Sequence, residues 1–157
     1  MHKAIRGKRT LQLNLAYLGG FFDGEGSVFI GRLKRPSGNP SYRINVSCAG
    51  TVKEPIEMYR KLFSKSRQEL IFRSKKNPKY KPYWMWMATG HLAAEFLRII
   101  LPYLVIKKEQ ARLALEFYEW RESLGKTGIP RKSSEVQRME QYRKRIHELK
   151  GMSSRND

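Results

Sequence analysis

Residues 17–27 read Tyr-Leu-Gly-Gly-Phe-Phe-Asp-Gly-Glu-Gly-Ser, and this short stretch decides how the rest of the chain is interpreted. Apolar residues recur at helical spacing from Leu11 to Phe22, which predicts a helix there. The Asp-Gly-Glu-Gly sequence at 23–26 breaks that helix, and an alternating, strand-like pattern follows it. The stretch therefore predicts a helix that ends in two carboxylates immediately before a strand.

Downstream, hydrophobic periodicity predicts the order α-β-β-α-β-β-α followed by two C-terminal helices. This order favours an α+β fold, in which one four-stranded antiparallel sheet has helices packed on one face. The other face must then meet water or a ligand. The predicted strands cover about 27–33, 42–51, 69–75 and 83–89, and the later helices about 55–63, 91–100, 107–124 and 133–149.

The length of 157 residues fits a single domain. We expect a basic arm at 1–10, a core at 11–124, a C-terminal helix at 133–150 and a frayed tail at 151–157. The N-terminal segment is basic and has no apolar run typical of a secretory signal, and no transmembrane run is visible. These features predict an intracellular protein of an organelle or a prokaryotic cytoplasm.

The composition indicates a polyanionic partner. Lys and Arg total 32 against 14 Asp and Glu, which gives a formal net charge of +18. DNA, RNA and an anionic membrane surface all fit that charge. The membrane is least favoured, because the charge follows strands and loops rather than an isolated amphipathic helix. The single cysteine, Cys48, lies in an apolar alternating stretch and is expected to be buried.

The predicted sheet is strongly basic, with fourteen Lys and Arg against three Glu between residues 31 and 83. Strand alternation places polar side chains of the second strand opposite Ile44, Val46 and Cys48. A twisted antiparallel ribbon fits a DNA major groove, where such side chains read base edges. The residues predicted to bind DNA are Arg32, Lys34, Arg35, Arg43, Asn45, Ser47, Arg73, Lys75, Lys81 and Tyr83.

The first strand does not fit this alternation throughout. Val28 and Ile30 are expected to face the core, yet the same parity would turn Arg32 and Lys34 inward. Two explanations are open: a β-bulge shifts the alternation, or the strand leaves the core before Arg32.

The nine residues 18–26 resemble the LAGLIDADG motif, which gives its name to a family of homing endonucleases. The small pair, the apolar pair and both acidic positions of that motif are occupied in order. A second similar stretch lies at 104–111, where an apolar-x-apolar-Lys sequence precedes Gln-Ala. The resemblance covers roughly residues 11–117, and the last helix and tail match only loosely.

The resemblance implies a site-specific DNA endonuclease that depends on a divalent metal. Glu25 would hold the metal together with the backbone carbonyl of Gly24, and Lys107 would support the attacking water or the phosphate charge. Asp23 would be structural rather than catalytic. Mg²⁺ or Mn²⁺ is the expected cofactor, with Ca²⁺ supporting DNA binding without cleavage. Oxygen ligands of this kind suit such cations.

A single motif implies a homodimer that cuts a long, near-palindromic double-stranded site. Because Gly20 and Gly24 share one helix face, two copies of the helix can approach closely there. A two-fold pairing would bring two copies of Glu25 together, and two close carboxylates favour a cation between them. The residues predicted at the dimer interface are Leu18, Gly20, Phe21, Asp23 and Gly24.

One departure from the family pattern leaves two other functions open. Family members often have a Gln at the end of the second strand, where this chain has Val52, and Thr51 or Lys53 are the candidate substitutes. The alternatives are an RNA-binding maturase, with intron RNA as its partner, and a DNA-binding protein that no longer cleaves.

Overall fold

The computed structural model describes residues 2–36, 38–63, 71–73, 81–125 and 130–153. It is an α+β structure with an antiparallel sheet and helices, as predicted. Among the described helices, none is long and apolar enough to cross a membrane. The elements are α1 (His2–Glu25), β1 (Gly26–Leu33), β2 (Ser41–Gly50), α2 (Lys53–Leu62), β3 (Ile71–Arg73), β4 (Tyr83–Thr89), α3 (His91–Ile100), a 3-10 turn (Leu101–Tyr103), α4 (Lys108–Ser123) and α5 (Ser133–Ser153).

The strands run in the order β1-β2-β4-β3, and every neighbouring pair is antiparallel. Three strands form the body of the sheet, and the three-residue β3 lies at one edge. Side chains at alternate positions of β1, β2 and β4 are buried beneath the helices. We call this the helix side of the sheet, and the opposite side the outer face.

The first strand contains no bulge within the described residues. Its pairing with β2 is regular from Gly26↔Cys48 to Leu33↔Ser41. Ile30 is buried whereas Arg32 is exposed, so the strand runs past the end of the core before Arg32. The second of the two explanations is therefore correct.

Both terminal helices are longer than the sequence pattern indicated. The predicted basic arm continues α1 back to His2, because its residues include good helix formers and no proline. Similarly, α5 extends to Ser153, past the expected end at residue 149. The predicted tail is therefore helical at 151–153, and its last four residues lie outside the described part of the chain.

Smaller boundary differences follow from local chemistry. Helix α2 begins at Lys53 rather than at Pro55, which is still within the first turn, where proline is tolerated. The first arm of the predicted hairpin is reduced to Ile71–Arg73, and the connecting residues 74–80 are outside the described residues.

An aromatic cluster in the core fixes the position of α1. Phe22 packs edge-on against Phe96 with ring centroids 5.0 Å apart, and Tyr59 stacks on Trp86 at 5.2 Å. The Tyr59 hydroxyl also donates a buried hydrogen bond of 2.5 Å to the carbonyl of Leu18. These contacts hold the last two turns of α1 against α2, α3 and the sheet. Cys48 is buried nearby as expected, and burial raises its thiol pKa to about 12.

Candidate metal and nucleic-acid site

The last turn of α1 separates its two carboxylates. Asp23 is buried within the chain at 7 % exposure, whereas Glu25 and its neighbour Gly24 are exposed. Because α1 ends at Glu25 and β1 begins at Gly26, the Glu25 carboxylate lies where the helix joins the sheet. A carboxylate and a backbone carbonyl accessible at one point are suitable oxygen ligands for a divalent cation.

Both oxygens of the Asp23 carboxylate accept hydrogen bonds from the chain's own backbone. The carboxylate accepts backbone N–H bonds from Val105 at 2.6 Å, Ile106 at 3.1 Å and Lys107 at 2.9 Å. These N–H groups lie in the turn that leads into α4, and a carboxylate is favourable close to that end of the helix because the helix dipole is positive there. Asp23 therefore joins the end of α1 to the beginning of α4.

This junction also positions Lys107. The Lys107 ammonium donates a hydrogen bond to the carbonyl of Asp23. Burial lowers the pKa of the ammonium, while the nearby charges of Asp23 and Glu25 act in the opposite direction. The structure thus brings the two predicted catalytic residues, Glu25 and Lys107, close together although they are 82 positions apart in the chain.

Beside Glu25, the outer face forms an open concavity of about 670 Å³. Val52, at the position where the family pattern has Gln, and Thr51, one of the two candidate substitutes, both line the concavity that Glu25 lines. The other candidate substitute, Lys53, has its ammonium 5.1 Å from the centre of the Trp84 ring. The residues lining the concavity are Phe21, Glu25, Ala49, Gly50, Thr51, Val52, Lys81, Tyr83 and Met85.

Several predicted DNA-binding residues share the outer face. Arg43 is exposed, and Asn45 and Ser47 are half-buried on the same side of β2. The Asn45 amide donates to the carbonyl of Arg43 at 3.0 Å, which leaves its side-chain oxygen as an acceptor. Tyr83 is half-buried and Lys81 is exposed beside the concavity.

Other predicted DNA-binding residues are placed differently or are not described. Arg32 is on the helix side, since β1 alternation gives it the parity of Ile30 and its guanidinium is near Tyr42. Burial raises the Tyr42 pKa, and the Arg32 charge acts against that rise. Lys34 and Arg35 are exposed in the turn after β1. The side chain of Arg73 and the whole of Lys75 lie outside the described part of the chain.

Among the residues that the structure describes, the outer face is less charged than the sequence count indicated. Phe29, Met85 and Met87 occupy outer-face positions alongside Arg43, Asn45 and Ser47. Many of the counted lysines and arginines belong to turns and to α2 instead. The count treated residues 31–83 as one surface and could not separate strand faces from their connections.

The residues predicted at the dimer interface divide into two sets. Gly20 and Gly24 are exposed, with nothing within 4 Å of an added Cβ, and Phe21 is half-buried. Leu18 is a correction: it has no exposed surface and packs in the core of the single chain. The helical repeat turns Leu18 and Asp23 away from the side that Gly20 and Gly24 share.

The open side of α1 includes two apolar residues that the sequence analysis missed. Leu13 and Tyr17 are 63 % and 51 % exposed. Together with Gly20 and Gly24 they follow the spacing i, i+4, i+7 and i+11, which describes one stripe along a helix. Continuing the glycine spacing towards the N-terminus would have revealed them. We call these four residues the α1 stripe.

The fold is that of the LAGLIDADG homing endonucleases. The homing endonuclease I-CvuI, solved with the I-CreI target, matches with a TM-score of 0.67 and 19 % identity, over 88 % of this chain and 82 % of that chain. The archaeal intron-encoded I-Vdi141I, complexed with DNA, matches at 0.54 and 12 %, over 88 % and 98 %. The LAGLIDADG enzyme I-GzeII, in complex with a DNA target, matches at 0.51 and 16 %, over 70 % and 36 %.

Sequence comparison adds nothing to this structural likeness, since no protein-family model and no curated protein matches the chain. At identities of 12–19 %, these structural matches show a shared fold and do not by themselves show a shared function.

Proposed function

We propose that this chain is a site-specific, divalent-metal-dependent DNA endonuclease that makes a double-strand break in a long, near-palindromic target as a homodimer. The observation that supports this most directly is the separation of the two motif carboxylates. Asp23 is committed to three backbone N–H groups, whereas Glu25 is exposed beside Lys107 and the outer-face concavity. An exposed carboxylate at that position suits a ligand role.

The donor set of one protomer supports the dimeric part of the proposal. Among the described residues, no three His, Cys, Asp or Glu side chains cluster as a metal site. One protomer therefore offers the Glu25 carboxylate and the Gly24 carbonyl, which are too few ligands for a Mg²⁺ or Mn²⁺ site built from protein alone. A second copy paired through the α1 stripe, together with DNA phosphate oxygens, would complete the set.

The chain's own residues have distinct roles in this reaction. Glu25 and the Gly24 carbonyl hold the cation, Lys107 places positive charge beside the phosphate, and Asp23 keeps Lys107 in position. A bound divalent cation would lower the pKa of water and stabilise the leaving oxygen of a phosphodiester. The outer face, with Arg43, Asn45 and Ser47, would bind the DNA.

The test begins with a pool of long double-stranded DNA. Wild-type protein is mixed with the pool in Ca²⁺, the bound DNA is sequenced, and selected sites are then incubated with protein in Mg²⁺. We expect a discrete double-strand break at a near-palindromic site. Glu25→Gln should abolish the break while binding the same DNA in Ca²⁺ as the wild type does.

A matched variant makes this test specific to the site. Glu119→Gln removes an exposed carboxylate from α4, where it pairs with Arg98 on the helix side. It should cut at the wild-type rate. Normal cutting by Glu25→Gln would remove Glu25 from the active site. Tight binding by the wild type without any cutting would instead support a DNA-binding protein, and binding to intron RNA alone would support a maturase.

A further inference from the structure

The last helix brings a second ammonium group to the active-site end of the sheet. Lys150, in the last turns of α5, extends to the outer face of β1. Its ammonium is 3.0 Å from the hydroxyl of Ser27 and 5.4 Å from the centre of the Phe29 ring. Both partners have outer-face parity, because Val28 and Ile30 between and beyond them are buried. Lys150 therefore reaches past the edge of the sheet.

Helix α5 packs against the core, and this packing fixes the position of the Lys150 backbone beside β1. Met139, Tyr142 and Ile146 of α5 are buried, and the Tyr42 hydroxyl of β2 donates to Glu140 at 2.8 Å. An ammonium group over the face of an aromatic ring is attracted to it. This contact with Phe29, together with the hydrogen bond to Ser27, restricts the Lys150 side chain.

Lys150 and Lys107 lie close enough for their charges to interact. Burial lowers the pKa of Lys150, and the positive charge of Lys107 lowers it further. The contacts of these lysines are with Asp23 and Ser27, which lie on either side of Glu25 in the chain. Two ammonium groups repel each other when they are close and partly desolvated. A phosphodiester at this point would relieve that repulsion.

Resting on the proposed function, we infer that Lys150 is a second cation of the active site that contacts a DNA phosphate beside Glu25. Lys107 and Lys150 would then neutralise phosphate charge from α4 and from α5, respectively. Positive groups fixed in advance around a reacting phosphate stabilise the charge that develops there. The sequence pattern gave no indication of this, since Lys150 is 125 residues after Glu25 and lies at the edge of the predicted tail.

The first experiment measures DNA binding in Ca²⁺, where cleavage is not needed. Lys150→Met keeps an unbranched apolar stem for Phe29 but removes the charge. The slope of log affinity against log salt should fall by about one phosphate contact per protomer. Lys144→Met removes an exposed charge from the same helix and serves as the control, which should leave the salt slope unchanged.

The second experiment measures single-turnover cleavage at saturating protein and Mg²⁺. Lys150→Met should cut roughly ten- to a hundred-fold more slowly, as expected for the loss of one charged group at the reaction centre. Lys150→Arg should recover much of the rate. The Mg²⁺ concentration for half-maximal rate should not rise, because removing a cation near Glu25 does not weaken a cation site. A merely structural lesion would raise that concentration and lower the melting temperature.

The outcomes separate this inference from the proposed function. A wild-type rate for Lys150→Met together with an unchanged salt slope would overturn the inference while leaving the endonuclease intact. An equal decrease in salt slope and cleavage rate in Lys144→Met would also overturn it, because the effect would then depend on the net charge of α5 and not on the position of Lys150. If the wild type never cuts but Lys150→Met lowers the salt slope, the nuclease proposal fails and the phosphate contact stands.

Discussion

In its last two turns, helix α1 has a glycine and a carboxylate that are buried and another glycine and carboxylate that are exposed. We call the buried side of the helix its inner side and the exposed side its outer side. On the inner side, a Cβ at Gly19 would lie 2.5 Å from the Cβ of Tyr103. On the outer side, a Cβ at Gly20 would meet nothing within 4 Å. The carboxylates divide in the same way, with Asp23 bound inside and Glu25 exposed. One side of the motif is thus needed for the fold, and the other is available for function.

The largest expected effect comes from the glycines. Gly19→Leu should destabilise the protomer by about 3 kcal/mol or more, because the side chain would have to enter the contact with Tyr103. Gly20→Leu should leave the protomer as stable or up to about 1 kcal/mol more stable, since leucine favours a helix more than glycine does. Denaturant unfolding of the two variants at low protein concentration gives the comparison.

Dimer formation should be affected most by the glycine variant that does not lower the stability of the single chain. Because the α1 stripe is proposed to pair two copies, Gly20→Leu should abolish the dimer in sedimentation experiments. A dimer of unchanged affinity in that variant would rule out pairing through the stripe. Equal loss of stability in both glycine variants would show that the two sides of α1 do not differ as the structure indicates.

The sequence predicted the inner side of this comparison better than the outer side. Helical periodicity places Leu18 and Phe22 in the core, and both are fully buried. Leu18 was also assigned to the dimer interface, because a sequence motif does not show the direction in which each side chain points. Leu13 and Tyr17 were missed because they lie N-terminal to the motif, where its glycine spacing was not continued.

The candidate site was predictable only where its residues are contiguous. Glu25 and Gly24 follow from the motif, and Lys107 from a second local stretch. The three N–H bonds to Asp23 and the approach of Lys150 to Ser27 join residues more than eighty positions apart. Such contacts depend on how α4 and α5 pack on β1, which local periodicity does not specify. Arg32 shows the same limit, since its exposure depends on where the core ends.

A smaller effect should separate the two carboxylates. Asp23→Ala should destabilise the protomer by about 2 kcal/mol, because three partly buried N–H groups lose their acceptor. Glu25→Gln should change stability by less than about 0.5 kcal/mol, as is usual for an exposed position. Thermal unfolding without DNA or metal measures both. A destabilisation by Glu25→Gln as large as that by Asp23→Ala would show that Glu25 also supports the fold.

The smallest expected effect is on DNA affinity, and it tests whether the helix side and the outer face of the sheet also differ in function. Arg43 is exposed on the outer side of β2, whereas Arg32 is exposed on the helix side near Tyr42. At a fixed salt concentration, Arg43→Ala should weaken DNA binding in Ca²⁺ by about 1–2 kcal/mol if the outer face meets base edges. Arg32→Ala removes the same charge one strand away and should cost clearly less. Equal losses would mean that binding follows total charge, and a larger loss for Arg32 would place the DNA on the side of the sheet where α5 lies.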